Sequence, residues 1–428
     1  MRKINIAIIG LGNIGSYLFK YLNDNKKKLM EKNNCLPVIK YVSARNKNKK
    51  RHIKIKKNQW LKNYLDSTKL KDVDLVIELI GGAEGPAKKL VFSALKHKKH
   101  VVTANKALIA KYGDQLSKIA EKNKVNLEFE ASVCGGVPII RSLKEGLIAN
   151  KISKIYGIFN GTSNYILSTM DRYKKSFDEV LIDAKKLGYA EANPVSDLNG
   201  DDVASKLKIL SSLCFNSFLN NKIFVEGIKE IDKIDINNAN KLGYKIKLLG
   251  FAELLNGKIY QRVHPTLIKK DSYVASIEGV LNAVIVDGSP VGQSIIQGEG
   301  AGPAATTSAL VSDISSISRG NIKFPFSLSS KERKKLVFND IKSRFFSAYL
   351  RFDVIDKPGV LSNITSIFSK NRVSIKRLIQ NPYKNNKISS IIIITHDSKN
   401  MSLTKILRQV AKKKYIYKKP RLIRIDTN

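Results

Sequence analysis

The stretch "KINIAIIGLGNIG", Lys3 to Gly15, decides the fold. Residues 3–9 are a short apolar run of the kind that fills a buried strand, and "GLGNIG" then leads into "SYLFKYLNDN", with helical spacing through Tyr17, Leu18 and Leu22. A glycine-rich turn between a strand and a helix is the context of a dinucleotide-binding unit. In such a turn Gly10 permits the tight bend, Gly12 lets a pyrophosphate approach the backbone, and Gly15 lets the helix pack on the strand. Gly10, Leu11, Gly12, Asn13, Ile14 and Gly15 are therefore candidate cofactor contacts, with free N–H groups at the helix start facing the phosphates.

Further units follow: "PVIKYVSA" (37–44), "VDLVIELI" (73–80), "HVVTA" (100–104) and "VNLEFEAS" (125–132), with helical stretches between them. This alternation predicts a parallel sheet. Ligands bind at the carboxyl ends of such strands, so Gly10 to Gly15, Gly81-Gly82, Thr103 to Lys106 and Ala131 to Val137 are expected to face one crevice. Past the second strand no carboxylate occurs between Glu31 and Asp66, while Arg45, Lys47, Lys49, Lys50 and Arg51 follow it. A basic loop without an acid favours the 2′-phosphate of NADP, with NAD the alternative, and Arg45 is the candidate contact.

The chain has 428 residues, 43% of them hydrophobic and 8% aromatic, enough for two or three domains with real cores. No apolar run reaches membrane-spanning length, and Met1-Arg2-Lys3 passes directly into a strand pattern, so a cytoplasmic protein without a membrane or signal segment is expected. Cys35, Cys134 and Cys214 lie far apart, and the five histidines show no ligand spacing, which argues against disulfides and structural zinc. A formal net charge of +40 invites a nucleic-acid reading, but Lys, Ile and Asn are enriched together along the whole chain. No nucleic-acid-reading motif accompanies the basic runs, and a lysine-rich solvated surface is expected.

From 151 to about 325 the pattern changes to longer helices and isolated strands. There "GDDVASKLKILSSLC", Gly200 to Cys214, reads as a helix whose apolar stripe gathers Val203, Leu207, Leu210, Leu213 and Cys214. Lys206 falls inside that stripe, whereas Lys208 is expected to point away. Burying an ammonium costs several kcal/mol unless it is paired, so a lysine there needs a reason. Residues 326–345 are polar and basic and read as a linker, after which 346–428 give strand, helix, two strands, helix, strand: a ferredoxin-like module.

The ordered motifs "VDLVIELIGG", "HVVTANKALIA", "EASVCGGVPII", "GIFNGTSNYIL", "GYAEANPVSDLNGDDVASKL" and "GEGAG" resemble homoserine dehydrogenase over roughly residues 1–325, and "LRFDVIDKPGVLSNI" resembles an ACT domain. The resemblance implies an α/β chain: a Rossmann-like nucleotide-binding domain (1–130, with a return of about 300–325), an α+β catalytic and dimerisation domain (131–325), the linker and a regulatory ACT domain (346–428). It implies reversible NAD(P)H-dependent reduction of L-aspartate 4-semialdehyde to L-homoserine, toward threonine, methionine and isoleucine. Lys206 is implied as proton donor, with Asp202, four residues earlier on the helix, and Lys106 beside it.

The same resemblance implies that Glu191, Asp197 and Asp202 bind substrate, that Gly161, Thr162 and Tyr189 line its pocket, and that Thr103, Lys106, Gly188 and Gly300 meet the cofactor. Asp201 is read as a loop turn or helix cap. Glu130 and the carbonyls of Val133, Gly135 and Val137 are implied as a monovalent-cation site, usually sodium. An amino-acid effector at the ACT domain, threonine first, and a homo-oligomer, dimer or tetramer, are also implied. Two departures from the family pattern stand out: Asn193 replaces an aspartate, and "GEGAGPAATTS" lacks the proline before its threonine, which is expected to remove a preorganised first helical turn. The rival is a semialdehyde dehydrogenase acting through Cys134, but no histidine lies between His100 and His264 to activate the thiol.

Overall fold

In a computed structural model, which describes residues 2–218, 222–383 and 387–426, strand β1 (Arg2–Ile9) runs through the middle of a parallel sheet. Its alternation sorts it between two cores: Ile4, Ile6 and Ile8 face one side, Ala7 and Ile9 the other. With β2 (Cys35–Ser43), β3 (Leu75–Glu78), β4 (His100–Thr103) and β5 (Leu127–Glu128) the order is β2-β1-β3-β4-β5. Helices α1 (Asn13–Asp24) and α2 (Lys26–Asn33) cover the first face, α3 (Pro86–Lys96) and α4 (Lys106–Asn123) the second. The predicted strand over 125–132 is much shorter. At Glu130–Ser132 the chain coils into a 3₁₀ turn, held where the Glu130 N–H donates to Asp313 Oδ2 at 3.0 Å.

The chain then crosses to a second layer through α5 (Ile139–Arg141), β6 (Lys151–Ile158), α6 (Gly161–Tyr173), α7 (Phe177–Lys186), α8 (Val195–Asn199) and α9 (Asp201–Phe215). It continues through β7 (Phe224–Val225), α10 (Lys233–Lys241), β8 (Tyr244–Leu255), β9 (Lys258–Lys269), β10 (Leu281–Ser289) and β11 (Gly292–Glu299). The strands here are not isolated, contrary to expectation. β8 and β9 pair without interruption from Tyr244↔Lys269 to Leu255↔Lys258. Both faces of β8 are covered, so its apolar residues run on instead of alternating, and the period-2 signal is lost.

Helix α11 (Pro303–Ser318) returns to the nucleotide sheet, burying Leu310, Ile314 and Ile317 beside α1. Pro303 occupies its first turn. The first turn is thus preorganised after all, by a proline placed earlier than the family position.

The predicted linker is laid down on both preceding layers. Phe326 is fully buried between Phe129 and Phe218, at centroid distances of 5.0 and 4.6 Å. Arg333 donates to Asp114 and Glu121 at 2.8 Å each, and β12 (Val337–Phe338) pairs with β9. The C-terminal elements are β13 (Phe345–Ile355), α12 (Val360–Lys370), β14 (Ile375–Pro382), β15 (Ile388–Thr395), β16 (Ser398–Lys399), α13 (Asn400–Ala411) and β17 (Arg421–Ile425). Their order, β17-β13-β15-β14, is the predicted ferredoxin-like arrangement. The module does not stand apart as the linker reading supposed. β17 pairs in parallel with β9 through Arg424↔Thr266 and Ile425↔Leu267, so the sheet runs on as β11-β10-β6-β8-β9-β17-β13-β15-β14. The stated outer ends of the first and last units, Met1 and Asn428, lie outside the described residues.

Candidate active site

The glycine loop has the geometry its sequence requires. Gly10 has φ +108°, and a Cβ on Gly15 would collide with the Gly10 carbonyl, whereas Gly12 has no atom within 4 Å of where a Cβ would stand. Helix α1 begins at Asn13 with no side-chain cap, so the N–H groups of its first turn are free to meet an anion. The loop opens on a cleft of about 890 Å³ that Arg45, Lys49 and Arg51 also line. Arg45 is exposed, with no hydrogen bond or ion pair among the described residues. Arg51 acts differently: its guanidinium donates to the carbonyls of Leu11 (2.9 Å), Lys49 (2.9 Å) and Asn46 (2.8 Å), tying the basic loop to the glycine turn.

Thr103 is fully buried. Its hydroxyl donates to Glu78 Oε2 at 2.5 Å and accepts from the Asn105 N–H at 3.0 Å, while Glu78 Oε1 accepts from Ile80 and Gly81. The Thr103 side chain therefore orders the strand ends and does not present its hydroxyl to the cleft. Asn105 then caps α4 at Leu108, which sets Lys106 as the first helical residue.

Lys106 reaches across to the second layer, with Nζ 2.8 Å from Asp202 Oδ1. The other oxygen of Asp202 lies 2.8 Å from Lys206 Nζ, one turn further along α9, and Lys206 also donates to the Phe159 carbonyl at 2.6 Å. Asn160, not singled out in the sequence, organises this centre. Its Oδ1 caps α6 at the Ser163 N–H, and its Nδ2 donates to both Asp197 and Asp202 at 2.8 Å. Gly200, at φ +88°, makes the sharp junction from α8 to α9 that presents Asp202.

Burial alone would push the Asp202 carboxyl up, but the Lys206 and Lys106 ammoniums and the Asn160 amide hold it well below the usual carboxylate range. For Lys206, burial would lower the pKa, and Asp202 outweighs it, so the lysine stays charged at 9% exposure. Asp197 is raised, by burial first and then by repulsion from Asp202. Lys208 does not simply point away. It is half-buried beside α4 and its pKa is lowered by that burial.

Around this centre, Thr162 donates to the Tyr189 carbonyl at 2.6 Å, and the Tyr189 ring packs against that of Tyr165 at a tilt of 55°, centroids 4.9 Å apart. Gly161 lies so close to the Val280 carbonyl that a Cβ would press on it. Gly188, at φ +76°, turns the chain after α7. Glu191 is exposed and is not drawn into the Asp202 cluster; Asn193 is exposed too. Asp201 is not a cap: Gly200 holds the N-cap position and Asp201 begins α9, where an acid complements the helix dipole. Gly300 packs where a Cβ would collide with the Asn282 carboxamide, and the crossing loop at Gly135 leans on the Gly300 carbonyl.

Glu130 is buried, its carboxylate accepting from the Ile140 and Arg141 N–H groups at 2.8 and 2.7 Å, and burial raises its pKa to about 7. The Val137 carbonyl accepts from Ile139, whereas those of Val133 and Gly135 accept no hydrogen bond among the described residues. A carboxylate and carbonyl oxygens are the donor chemistry hard cations take, and here both Glu130 oxygens already accept backbone N–H groups. Cys134 sits between them at φ 55°, fully buried, its thiol pushed up to about 11 by that burial. Burial thus disfavours the thiolate, the reverse of what a thioester mechanism asks of its nucleophile.

A glycine-loop dinucleotide cleft, in one chain with an aspartate buried between two lysine ammoniums, defines a nicotinamide-dependent oxidoreductase. Residues 10–130 match a family model described as homoserine dehydrogenase, NAD binding domain, residues 138–315 one described as homoserine dehydrogenase, and residues 350–418 an AHAS small subunit-like ACT domain. The homoserine dehydrogenase of Neisseria gonorrhoeae is 39% identical over 409 residues, 93% of each chain, and that of Bacillus subtilis 38% over 417, 96% of this chain and 95% of that one. The crystal structure of the homoserine dehydrogenase of Thiobacillus denitrificans superposes with a TM-score of 0.91 at 35% identity, over 100% of this chain and 99% of that one. The chain belongs to the homoserine dehydrogenase family. Its reaction is the NAD(P)-dependent interconversion of L-aspartate 4-semialdehyde and L-homoserine, in the biosynthesis of threonine, methionine and isoleucine.

Proposed function

We propose that this chain carries out that reduction with NADPH in preference to NADH, with Lys206 as the proton donor. The observation that carries the reading is the Lys206 ammonium, kept charged in an apolar wall by Asp202. When bound, the nicotinamide supplies the hydride. The substrate carbonyl oxygen gains negative charge at that step, and Lys206, with three N–H donors of which Asp202 and Phe159 take two, has one left for it. Lys106 adds positive charge at the same point and joins the two layers.

The substrate ammonium is received by Asp197, Asp202 and Glu191, in a pocket lined by Gly161, Thr162 and Tyr189. The backbone at Gly10 to Gly15 holds the pyrophosphate, with Gly188 and Gly300 beside the nucleotide and Arg45 on its 2′-phosphate. A monovalent cation, sodium first, is held by Glu130 and the carbonyls of Val133, Gly135 and Val137, at the crossing between layers.

The boundaries at 130, 325 and 345 divide the chain into nucleotide, catalytic and ACT units, and the location is cytoplasmic. The ACT unit binds an amino-acid effector, threonine first, and joins chains through its sheet. Since β9 occupies the β17 edge, that pairing uses β14. The test is consumption of NADPH with aspartate semialdehyde, repeated with NADH. No turnover with either nucleotide, or faster turnover with NADH, overturns the reading.

A further inference from the structure

From β7 into the first turn of α10 the chain reads "FVEGIKEIDKID", Phe224 to Asp235, and it carries four acids in a chain with only 36. Each of the four is held by a residue of the C-terminal module. Arg424 Nη1 lies 2.6 Å from Glu226 Oε2, Arg421 and Lys419 meet Glu230, and Arg351 donates to Asp232 at 2.6 Å and to Asp235 at 2.8 Å. Tyr349 adds a hydroxyl bond to Asp235 at 3.1 Å. Arg424 is fully buried over the Phe224 ring and also donates to Asn400, the first residue of α13, at 2.9 Å. A shift of α13 is therefore felt at Glu226.

The opposite side of the same strap rests on the substrate turn. The Ile228 N–H donates to the Leu198 carbonyl at 2.9 Å, and Gly227 lies so close to Leu198 and Asn199 that a Cβ would collide with both. Val225 packs against Gly200. Leu198 to Gly200 is the turn between Asp197 and Asp202, the two acids that Asn160 bridges. One short strap thus has ionic grips on the ACT module along one side and a backbone seat against the substrate turn along the other.

We propose that Phe224–Asp235 is a positioning element through which the ACT module sets the geometry of the Asp197–Asp202 turn, so that the module tunes affinity for the amino-acid substrate and leaves the nucleotide site alone. The inference rests on Asp197 and Asp202 as substrate ligands. An effector acts through the strap if it binds one arrangement of α13 and β17 better than another, since equal affinity for both shifts nothing.

The test uses the full chain and the pair Arg421–Glu230, whose acid is 57% exposed and so tolerates substitution. An exposed ion pair is worth little when merely removed, so the charges are reversed, in a Lys419→Gln background that spares position 230 a like-charged neighbour: Arg421→Glu, Glu230→Arg, and both together. Each single variant is expected to raise KM for homoserine about 5-fold or more, within the usual range of site-to-site coupling, with kcat and KM for NADP inside about twofold, and the double variant to restore KM. Gly227→Ala, which touches no module residue, is expected to raise the same KM by pressing on the turn. Single variants that lose thermal stability with KM for homoserine unmoved, or a double variant that fails to restore it, overturn the proposal and leave the strap a staple. If the parent chain itself oxidises no homoserine with either nucleotide, the functional reading fails before the strap is reached.

Discussion

Asp202 and Lys206 form a 2.8 Å ion pair one turn apart on α9, both nearly out of reach of solvent. Neither charge is tolerable there alone. An unpaired buried ammonium would give up its proton, and an unpaired carboxylate would take one. Because the Lys106 ammonium reaches the same carboxylate from the other layer, the charge state of the centre depends on the two layers being together.

Lys206→Met keeps the apolar stem and leaves Asp202 paired to Lys106 and Asn160. Turnover is expected to fall about 10²-fold or more, in the range of a positioned acid, with cofactor binding retained. Lys208→Met is the control: it removes a half-buried cation that the centre does not use. Near-normal turnover in folded Lys206→Met removes the assignment.

Asn160 has two separable duties, the cap on α6 and the bridge between Asp197 and Asp202. Asn160→Ala is expected to lose about 1 kcal/mol of stability with the cap and to raise KM for aspartate semialdehyde. Asn160→Ser restores the cap but not the bridge. It should recover most of the melting temperature while KM stays high, and joint recovery would show that only the cap matters.

Arg45→Ala is expected to raise KM for NADPH several-fold more than KM for NADH, about the size of one charge-assisted contact. Among the described residues Arg45 has no partner, which leaves its guanidinium available. Equal effects on both nucleotides move the phosphate contact elsewhere in the loop, with Arg51, already tied to three carbonyls, the poorer substitute.

The pH dependence has opposite signs in the two directions. The folded pKa of Lys206 is raised above 10.5, so the acid needed for reduction is present across the neutral range and is lost only as pH rises through that value. Oxidation of homoserine needs the neutral amine, whose small fraction grows with pH below the pKa, so its rate should climb from pH 7 to 10 while reduction holds steady. For Asp202 the folded pKa is depressed below 3.8; its stabilising contribution holds above that pH and is lost as pH falls through the folded value. Initial rates in both directions at pH 7 to 10 check the first part, and reduction that speeds up with pH would contradict it.

A chain ending at Ser343 is expected to fold poorly, the reverse of what the linker reading implied. Removing the module exposes the β9 backbone at Thr266 and Leu267 and strips Asp232 and Asp235 of Arg351. In the full chain Asp235 is fully buried, and its carboxylate is held there by Arg351 and Tyr349 of the module, so both its partners and part of its cover are lost together. A cooperative melt at the parent temperature would show that the module is independent after all.

The nucleotide fold was legible because its glycines are demanded by local geometry: Gly10 by its φ, Gly15 by contact with Gly10. Lys206 was legible as a misfit on an apolar stripe. Asn160 was not, since before "GTSN" it reads as an ordinary cap, and its bridge exists only once Asp197 and Asp202 arrive from a distant segment. The β8–β9 hairpin hid behind two covered faces, and 326–345 looked like linker because Arg333 is polar by composition and is drawn in only by acids from a distant helix.

The shared sheet has two outer strands among the described residues, β11 and β14. They are guarded unequally. β14 carries Lys376, Arg377 and Pro382, residues that discourage a foreign strand from zipping on, while "GQSIIQGE" on β11 has no proline and no basic residue. Head-to-tail joining of β11 to β14 would grow an open-ended fibre, whereas like edges meeting about a twofold axis close on themselves. The basic guard on β14 disfavours indiscriminate zipping there, so if the protein is overconcentrated or partly unfolded, β11 is the edge from which self-templated aggregation is expected to start.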